Sequence, residues 1–308
     1  MAKIILFYKY VNIDDVKKIA DWQRALCTKL ELTGRIVLAQ EGINATLGGQ
    51  DDSIKEYIKE MNNHSIFDKI DFKFSDGIGS EGFPKLKIWI RNEICNLGLD
   101  TKEYSPKNGG KHLKPEEADQ LLRNKPEDLI IFDARNKFEA DVGRFTDAII
   151  PNIRYFRELP QYIDENLEQF KDKQVLMYCT GGIRCERATT YLKSKGIAKE
   201  VYQIEGGIHR YVEKFPDGFF RGKNYVFDNR VTVRINDDIL GKCYICDKSN
   251  DDFTNCMNAL CNLHYICCTE CKVHYEGTCS RECQKLIQEK KVNARPEFIA
   301  TNSNANRK

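Results

Sequence analysis

Thirteen cysteines punctuate the 308-residue chain, and two groups of them have spacings that could do chemistry. The first lies in Val175-Leu-Met-Tyr-Cys179-Thr-Gly-Gly-Ile-Arg184-Cys185, an apolar run that ends in a thiol, two glycines and an arginine. A thiol on the loop between a buried strand and a helix faces that helix's unpaired N–H groups, whose partial positive charge favours thiolate over thiol. Gly181 and Gly182 allow consecutive amides to turn inward, so Thr180, Gly181, Gly182 and Ile183 read as an anion cradle with Arg184 as a fixed charge at its rim. Such a sulfur could attack an electrophile, or carry a second sulfur as a persulfide spread over the same donors. The plainer alternative is a small buried residue that merely ends a strand. The coincidence of two glycines, an arginine and a following helix favours the reactive thiol. Cys185, on the first turn of that helix, reads two ways: a thiol that resolves an oxidised Cys179 through a disulfide, or a core residue facing the sheet.

The second group packs nine cysteines between Cys243 and Cys283. Cys243-x2-Cys246, Cys256-x4-Cys261, Cys267-Cys268-x2-Cys271 and Cys279-x3-Cys283 form four close sets, and two such sets complete a tetrahedral Zn²⁺ site. An alternating assignment places Cys243, Cys246, Cys268 and Cys271 on one ion and Cys256, Cys261, Cys279 and Cys283 on another, with His264, Cys267 and His274 as possible substitutes. A segment of this length with few large aliphatic residues needs such a staple to fold. The alternatives are a metal-free module of buried thiols or an iron–sulfur site. A closed four-thiolate zinc would be structural, since it offers no open position for oxygen, and the segment contains no His-His-carboxylate set for non-haem iron.

These groups need elements to position them. Residues 1–100 alternate strand-like and helix-like patterns: a strand over Ile4–Tyr10, a helix capped by Asp14 or Asp15, a hairpin around Glu41-Gly42, a second helix over Ser53–Met61, and strands over Asp71–Ser75 and Leu86–Ile90. A β-α-β-β-α-β order predicts a ferredoxin-like α+β domain. Gly98–Pro115 is turn-rich and reads as a linker. From 115 to 220, strands over Leu129–Asp133, Lys173–Tyr178 and Glu200–Ile204 alternate with helices, the last strand followed by a turn at Gly206-Gly207. That pattern predicts a doubly wound parallel sheet with Cys179 at the carboxyl end of a strand, where ligands collect. The Cys-rich module spans 240–290, and the polar stretch 291–308 reads as a disordered tail.

Composition narrows the setting. Forty-one per cent hydrophobic and 31% charged residues fit a globular chain, and 48 Lys and Arg against 46 Asp and Glu leave +2, so no global field advertises a polyanionic partner. No apolar run approaches a membrane span, and Met1–Tyr10 lacks a signal-like core, which predicts a cytoplasmic protein. In that reducing setting clustered cysteines are metal ligands or redox thiols more often than disulfides. Any nucleic-acid surface must be local. The connector from Arg210 to Arg234 interleaves six basic residues with six aromatics, although aromatics alone would equally be core packing.

The segment 115–215 resembles a rhodanese domain through its Cys-x4-Arg loop, Asp133-Ala-Arg135 and Glu205-Gly-Gly207. The related Cys-x5-Arg phosphatases form a wider cradle for a phosphate, so the shorter loop disfavours phosphatase chemistry. With its N-terminal domain, Tyr178-Cys-Thr-Gly-Gly-Ile-Arg-Cys185, Phe220-Arg-Gly-Lys-Asn-Tyr-Val-Phe-Asp-Asn-Arg230 and Cys-rich end, the chain over residues 1–290 resembles the bacterial tRNA uridine hydroxylases, the tRNA 5-hydroxyuridine synthases. That resemblance implies oxygen-dependent conversion of the wobble uridine, position 34, to 5-hydroxyuridine. It also implies molecular oxygen as co-substrate and Cys179 as the catalytic residue, as a persulfide or another oxidised sulfur, assisted by Arg184 and Cys185. Arg187, Asp133 and Arg135 would be supports. A wobble uridine sits in a single-stranded anticodon loop, whose recognition calls for aromatic stacking and phosphate contacts; Arg221, Lys223, Tyr225 and Arg230 are the expected contacts. The loop taken alone also fits a sulfurtransferase carrying a cysteine persulfide to tRNA or another acceptor. A third possibility is a zinc-containing RNA-binding scaffold with an inert rhodanese domain, against which the intact Cys179 speaks.

Overall fold

In a computed structural model, which describes residues 2–295, the chain separates into two compact units. One comprises the residues up to Lys137 together with Asp147–Phe219; the other comprises Phe138–Thr146 and the residues from Phe220 on. The stretch 291–308, expected to be a tail, lies outside the described residues from 296 on.

The first unit opens with β1 (Ala2–Tyr10), α1 (Val16–Lys29), β2 (Thr33–Ala39), β3 (Gly42–Gln50), α2 (Asp51–Asn63), β4 (Lys73–Asp76) and β5 (Leu86–Ile90). Asp15 caps α1 by accepting a hydrogen bond from the Lys18 amide at 2.9 Å. The strand order β4-β1-β3-β2 is the ferredoxin-like sheet expected, and β5 extends it as a fifth strand parallel to β2. Alternation along the strands decides what faces what. Ile5 and Phe7 of β1, Ile36 and Leu38 of β2, and Ile43, Ala45 and Leu47 of β3 form one core with Leu26 of α1 and Ile54 and Tyr57 of α2. Both helices therefore cover one face, and Leu6, Tyr8 and Lys73 belong to the other.

The same unit continues with β6 (Lys111–Leu113), α3 (Pro115–Asn124) and β7 (Leu129–Asp133), then α4 (Lys137–Val142) and β8 (Gly143–Phe145), most of which belong to the second unit. It resumes with α5 (Leu159–Glu165), β9 (Gln174–Tyr178), α6 (Ile183–Ser194), β10 (Glu200–Ile204) and α7 (Gly207–Lys214). The strands β6-β10-β9-β7 are all parallel, and α3 packs with α7 while α5 packs with α6. This is the doubly wound sheet that the alternating pattern predicts. Its inner strand β9 is apolar nearly end to end, as a strand covered on both faces must be: Val175, Leu176, Met177 and Tyr178 are each 0% exposed.

In the second unit the latter half of the connector is built into a sheet. Phe220–Tyr225 forms β11, which pairs with β8 on one side and with β12 (Thr232–Arg234) on the other. Beyond it lie the hairpin β13 (Phe253–Asn255) and β14 (His264–Ile266), then α8 (Thr269–His274) and α9 (Arg281–Gln288). Six of its cysteines, with Tyr265, make up this module's small core, where thiols stand in for aliphatic side chains. Among the described residues no helix is long and apolar enough to cross a membrane.

Candidate functional site

Cys179 sits one residue past the carboxyl end of β9, and the chain turns through Thr180-Gly181-Gly182 into α6. Gly182 takes φ +102, a conformation open to glycine, and a Cβ there would stand 2.8 Å from the Tyr8 hydroxyl. Gly207, at φ +63, lets α7 approach so closely that a Cβ would lie 2.3 Å from the Cys179 carbonyl oxygen. The Gly182 amide donates to the Cys179 sulfur at 3.1 Å, and the amides of Arg184 and Cys185 point to the same sulfur. Amides thus converge on the sulfur as an anion cradle requires, but of the expected Thr180, Gly181, Gly182 and Ile183 it is Gly182 that donates, joined by Arg184 and Cys185 from the first turn of α6.

The sulfur's environment sets its charge. Burial pushes the Cys179 thiol up, but the hydrogen bond from the Cys185 thiol, the Arg184 guanidinium and the Cys185 and Arg184 amides outweigh it and lower it to about 6. Cys185 moves the other way, raised first by burial and then by the neighbouring Cys179. One negative charge is therefore shared by the pair, held on Cys179 with Cys185 as the donor. Cys185 is 0% exposed and lies in the same core cluster as Val175 and Ala188, so it both faces the sheet and touches the reactive sulfur. Arg184 is held by donating to the Thr180 hydroxyl at 3.2 Å.

Sequence reasoning missed what covers this loop. A Cβ on Gly181 would meet Leu6 Cδ2 at 2.9 Å and Lys73 Cδ at 4.0 Å, so the open face of the N-terminal sheet lies over the cradle and leaves Cys179 0% exposed. Tyr8 donates from its hydroxyl to Glu186 at 2.8 Å, and the His112 ring meets the other Glu186 oxygen at 3.2 Å. Lys73 pairs with Asp71 at 2.8 Å and stands over the Tyr8 ring; Asp71 is bridged in turn by Arg210. No motif in the strand pattern marks Tyr8 or Lys73, because their role depends on packing against a segment more than 100 residues away.

The supporting ion pairs are also buried. Asp133 and Arg135 form a two-pronged pair with both side chains 0% exposed, and the Arg135 guanidinium lies over the Tyr178 ring. Arg187 donates to Glu93 at 3.0 Å, to Glu41 at 3.4 Å and to the Leu99 carbonyl at 2.9 Å. It thereby ties the N-terminal sheet to α6.

In the second unit, the sulfurs of Cys243, Cys246, Cys268 and Cys271 lie within 4.8 Å of one another, and so do those of Cys256, Cys261, Cys279 and Cys283. The sulfurs are 3.8 Å apart in Cys246–Cys268, 3.7 Å in Cys261–Cys279 and 3.8 Å in Cys279–Cys283. A tetrahedron with zinc–sulfur bonds of about 2.3 Å has edges of about 3.8 Å, so both tetrads fit such an ion. Cys267, His264 and His274 belong to neither tetrad: the Cys267 thiol lies beside Cys243 and donates to the Cys268 carbonyl at 3.5 Å, and His264 bridges Tyr225 and Asn255. The four expected RNA contacts are all engaged within the unit. Lys223 is 8% exposed and pairs with Asp251 and Asp252; Tyr225 meets His264; Arg221 pairs with Asp238; and Arg230 pairs with Asp228.

A parallel sheet that delivers a cysteine into a ring of amides, closed five residues on by arginine, defines a rhodanese-type domain. The family models agree: residues 2–94 match the UPF0176 acylphosphatase like domain, 114–214 the rhodanese-like domain and 221–284 the rhodanase C-terminal. The tRNA uridine(34) hydroxylase of Corynebacterium jeikeium is 41% identical over 298 residues, covering 94% of this chain and 96% of that protein. Its counterpart in Arthrobacter sp. (strain FB24) is 41% identical over 282 residues, 88% of this chain and 94% of that protein. A solved rhodanese-like domain protein from Staphylococcus aureus is 26% identical with a TM-score of 0.27, covering 33% of this chain and 90% of that one. The chain belongs to the tRNA uridine(34) hydroxylase family.

Proposed function

We propose that this protein hydroxylates uridine 34 in the anticodon loop of tRNA, replacing the C5 hydrogen by a hydroxyl in an oxygen-dependent reaction. One oxygen atom of O₂ enters the base; the other leaves as water, with two electrons and two protons from a reductant outside the chain. The observation that carries this reading is the Cys179 sulfur, lowered to about 6 and cradled by amides, in a chain 41% identical to tRNA uridine(34) hydroxylases.

Cys179 is the reactive thiolate, the Arg184 guanidinium and the amides of Gly182, Arg184 and Cys185 hold its charge or that of a persulfide, and Cys185 donates its S–H to it. Cys185 also stands ready to close a disulfide on an oxidised Cys179. Because Cys179 is 0% exposed, a target base reaches it only when the Tyr8 and Leu6 side chains move aside. Asp133, Arg135 and Arg187 keep the loop and its cover in register.

The eight paired cysteines hold two zinc ions in this reading, whose chemistry is structural: they neutralise clustered thiolates and staple the module. The segments 1–100, 115–220 and 240–290 divide the work into cover, chemistry and staple, in the cytoplasm. Arg221, Lys223 and Arg230 contact RNA by exchanging Asp238, Asp251, Asp252 and Asp228 for phosphates, with Tyr225 beside them.

Nucleoside mass spectrometry of tRNA from cells lacking the gene, complemented with wild type or Cys179→Ser, tests the assignment. Loss of 5-hydroxyuridine, restored by wild type alone, is expected. Loss of thiolated nucleosides instead would make the protein a sulfurtransferase, and no change in either would leave it a scaffold.

A further inference from the structure

Many lysines and arginines of this protein have no carboxylate partner, so what singles some of them out is the aromatic ring they gather around. Arg35, Lys87 and Arg91 are exposed, and among the described residues none of them forms an ion pair. They gather around two rings: Lys87 and Arg91 lie 5.7 and 5.9 Å from the centre of Trp89, and Arg35 lies 5.9 Å from Phe83. The pattern recurs at Tyr155, which is 45% exposed and has the Arg154 and Arg157 guanidinium groups at 5.5 and 4.8 Å. Neither arginine forms an ion pair among the described residues.

Sheet register places the first platform relative to Cys179. Tyr8 pairs with Asn44, Asn44 with Val37 and Val37 with Trp89, so Trp89 stands in one row with Tyr8, three strands across and on the same face. Three strand spacings amount to about 14 Å. The Tyr8 hydroxyl is itself the group that closes on Gly182. The chain that leaves Trp89 then crosses that row, since Asn44 donates to the Ile94 carbonyl at 3.0 Å. Cys95 packs against the cluster that contains Cys179 and Cys185. At Gly98 the chain meets Arg157, whose Cβ would lie 3.6 Å from one built on that glycine. The two aromatic-cation platforms thus stand at either end of one short segment, and its middle abuts the reactive sulfur's core.

We infer that Trp89 with Lys87 and Arg91, and Tyr155 with Arg154 and Arg157, form a binding surface for single-stranded RNA that stacks bases on either side of the one delivered to Cys179. The inference rests on the tRNA reading above and adds the residues that seat the loop. A half-buried Trp89 and an exposed Tyr155 flanked by unpaired cations offer what an unstacked nucleotide needs: a flat partner for the base and positive charge for the phosphates on either side. The connector cations, each held by a carboxylate, would have to break an ion pair to do the same.

The protein has two tryptophans, and Trp22 is stacked on Phe67 against the N-terminal core, so fluorescence isolates the platform. A Trp22→Phe variant leaves Trp89 as the sole emitter, and its emission should be quenched as an anticodon stem-loop oligonucleotide carrying uridine 34 is titrated in. A Trp89→Phe variant should show no such quench. Trp89→Ala and Tyr155→Ala should each raise the Kd for that oligonucleotide roughly ten- to a hundredfold. Lys87→Glu combined with Arg91→Glu, on exposed positions that leave folding intact by thermal melting, should reduce the salt dependence of binding by about two charges. Wild type that binds, with an unquenched Trp89 and variants within twofold of its Kd, overturns this surface while the tRNA reading stands. Wild type that binds neither the oligonucleotide nor tRNA overturns both.

Discussion

The two cysteine groups solve opposite problems with the same atom. At position 179 one sulfur is given its charge by amides, a guanidinium and a neighbouring thiol, with no cation spent on it beyond Arg184. Between Cys243 and Cys283, eight sulfurs stand within 4.8 Å of one another in two sets. That spacing is the one a divalent ion between four thiolates requires. A lone sulfur in a dipole cradle keeps its lone pairs for chemistry, whereas a sulfur in a tetrad is placed to give them to a metal, which would make it architecture. Neighbours, not the cysteine itself, decide between the two.

That contrast can be broken at several points. The largest effect is expected from metal removal: structural zinc in small modules contributes about 10–16 kcal/mol of binding energy. Chelation or a Cys243→Ser/Cys246→Ser double variant should therefore unfold the second unit while the first keeps its parallel-sheet circular dichroism. Elemental analysis should fall from two metal ions to one in the double variant. Unchanged stoichiometry would remove these residues as ligands. Next, Cys179→Ser should lower hydroxylation by about three orders of magnitude or more, as loss of a nucleophile does, with bound metal and melting temperature unchanged. Arg184→Gln should cost roughly ten- to a hundredfold in rate and shift the ultraviolet thiolate titration upward.

The smallest effect concerns Cys185. In the wild type the thiolate signal should appear as pH rises through about 6. Since the hydrogen bond from Cys185 favours the charged form, Cys185→Ala should move that midpoint up by roughly one unit, so the variant carries less thiolate at neutral pH. A midpoint that stays or falls would mean that the amides and Arg184 hold the charge without it.

Much of this arrangement could be read without coordinates, and the residues explain why. A strand of Val, Leu, Met and Tyr followed by Gly-Gly and a helical run is a local signal, so the Cys179 turn and the sheet beneath it follow from short-range chemistry. The ferredoxin-like order follows likewise from alternation and from Asp15 as a cap. The cover over the cradle is different in kind. Leu6, Tyr8 and Lys73 are ordinary residues of exposed-face strand positions until the sheet docks on α6 through Arg187, Glu41 and Glu93, and no spacing encodes that docking. The connector misleads for a related reason. Its alternating cations and rings look solvent-facing, yet Lys223 and Tyr225 turn inward because Asp251 and His264 arrive from far along the chain.

The roof over position 179 carries a further consequence. A thiolate at neutral pH in contact with solvent would be spent on every passing peroxide or alkylating agent, and each such encounter would end one molecule's working life. With the loop shut beneath Leu6 and Tyr8, idle molecules stay chemically silent. The rate at which a bulky thiol reagent inactivates the protein then becomes a gauge of how often the lid lifts, and cognate RNA should quicken it for small reagents while shielding against large ones.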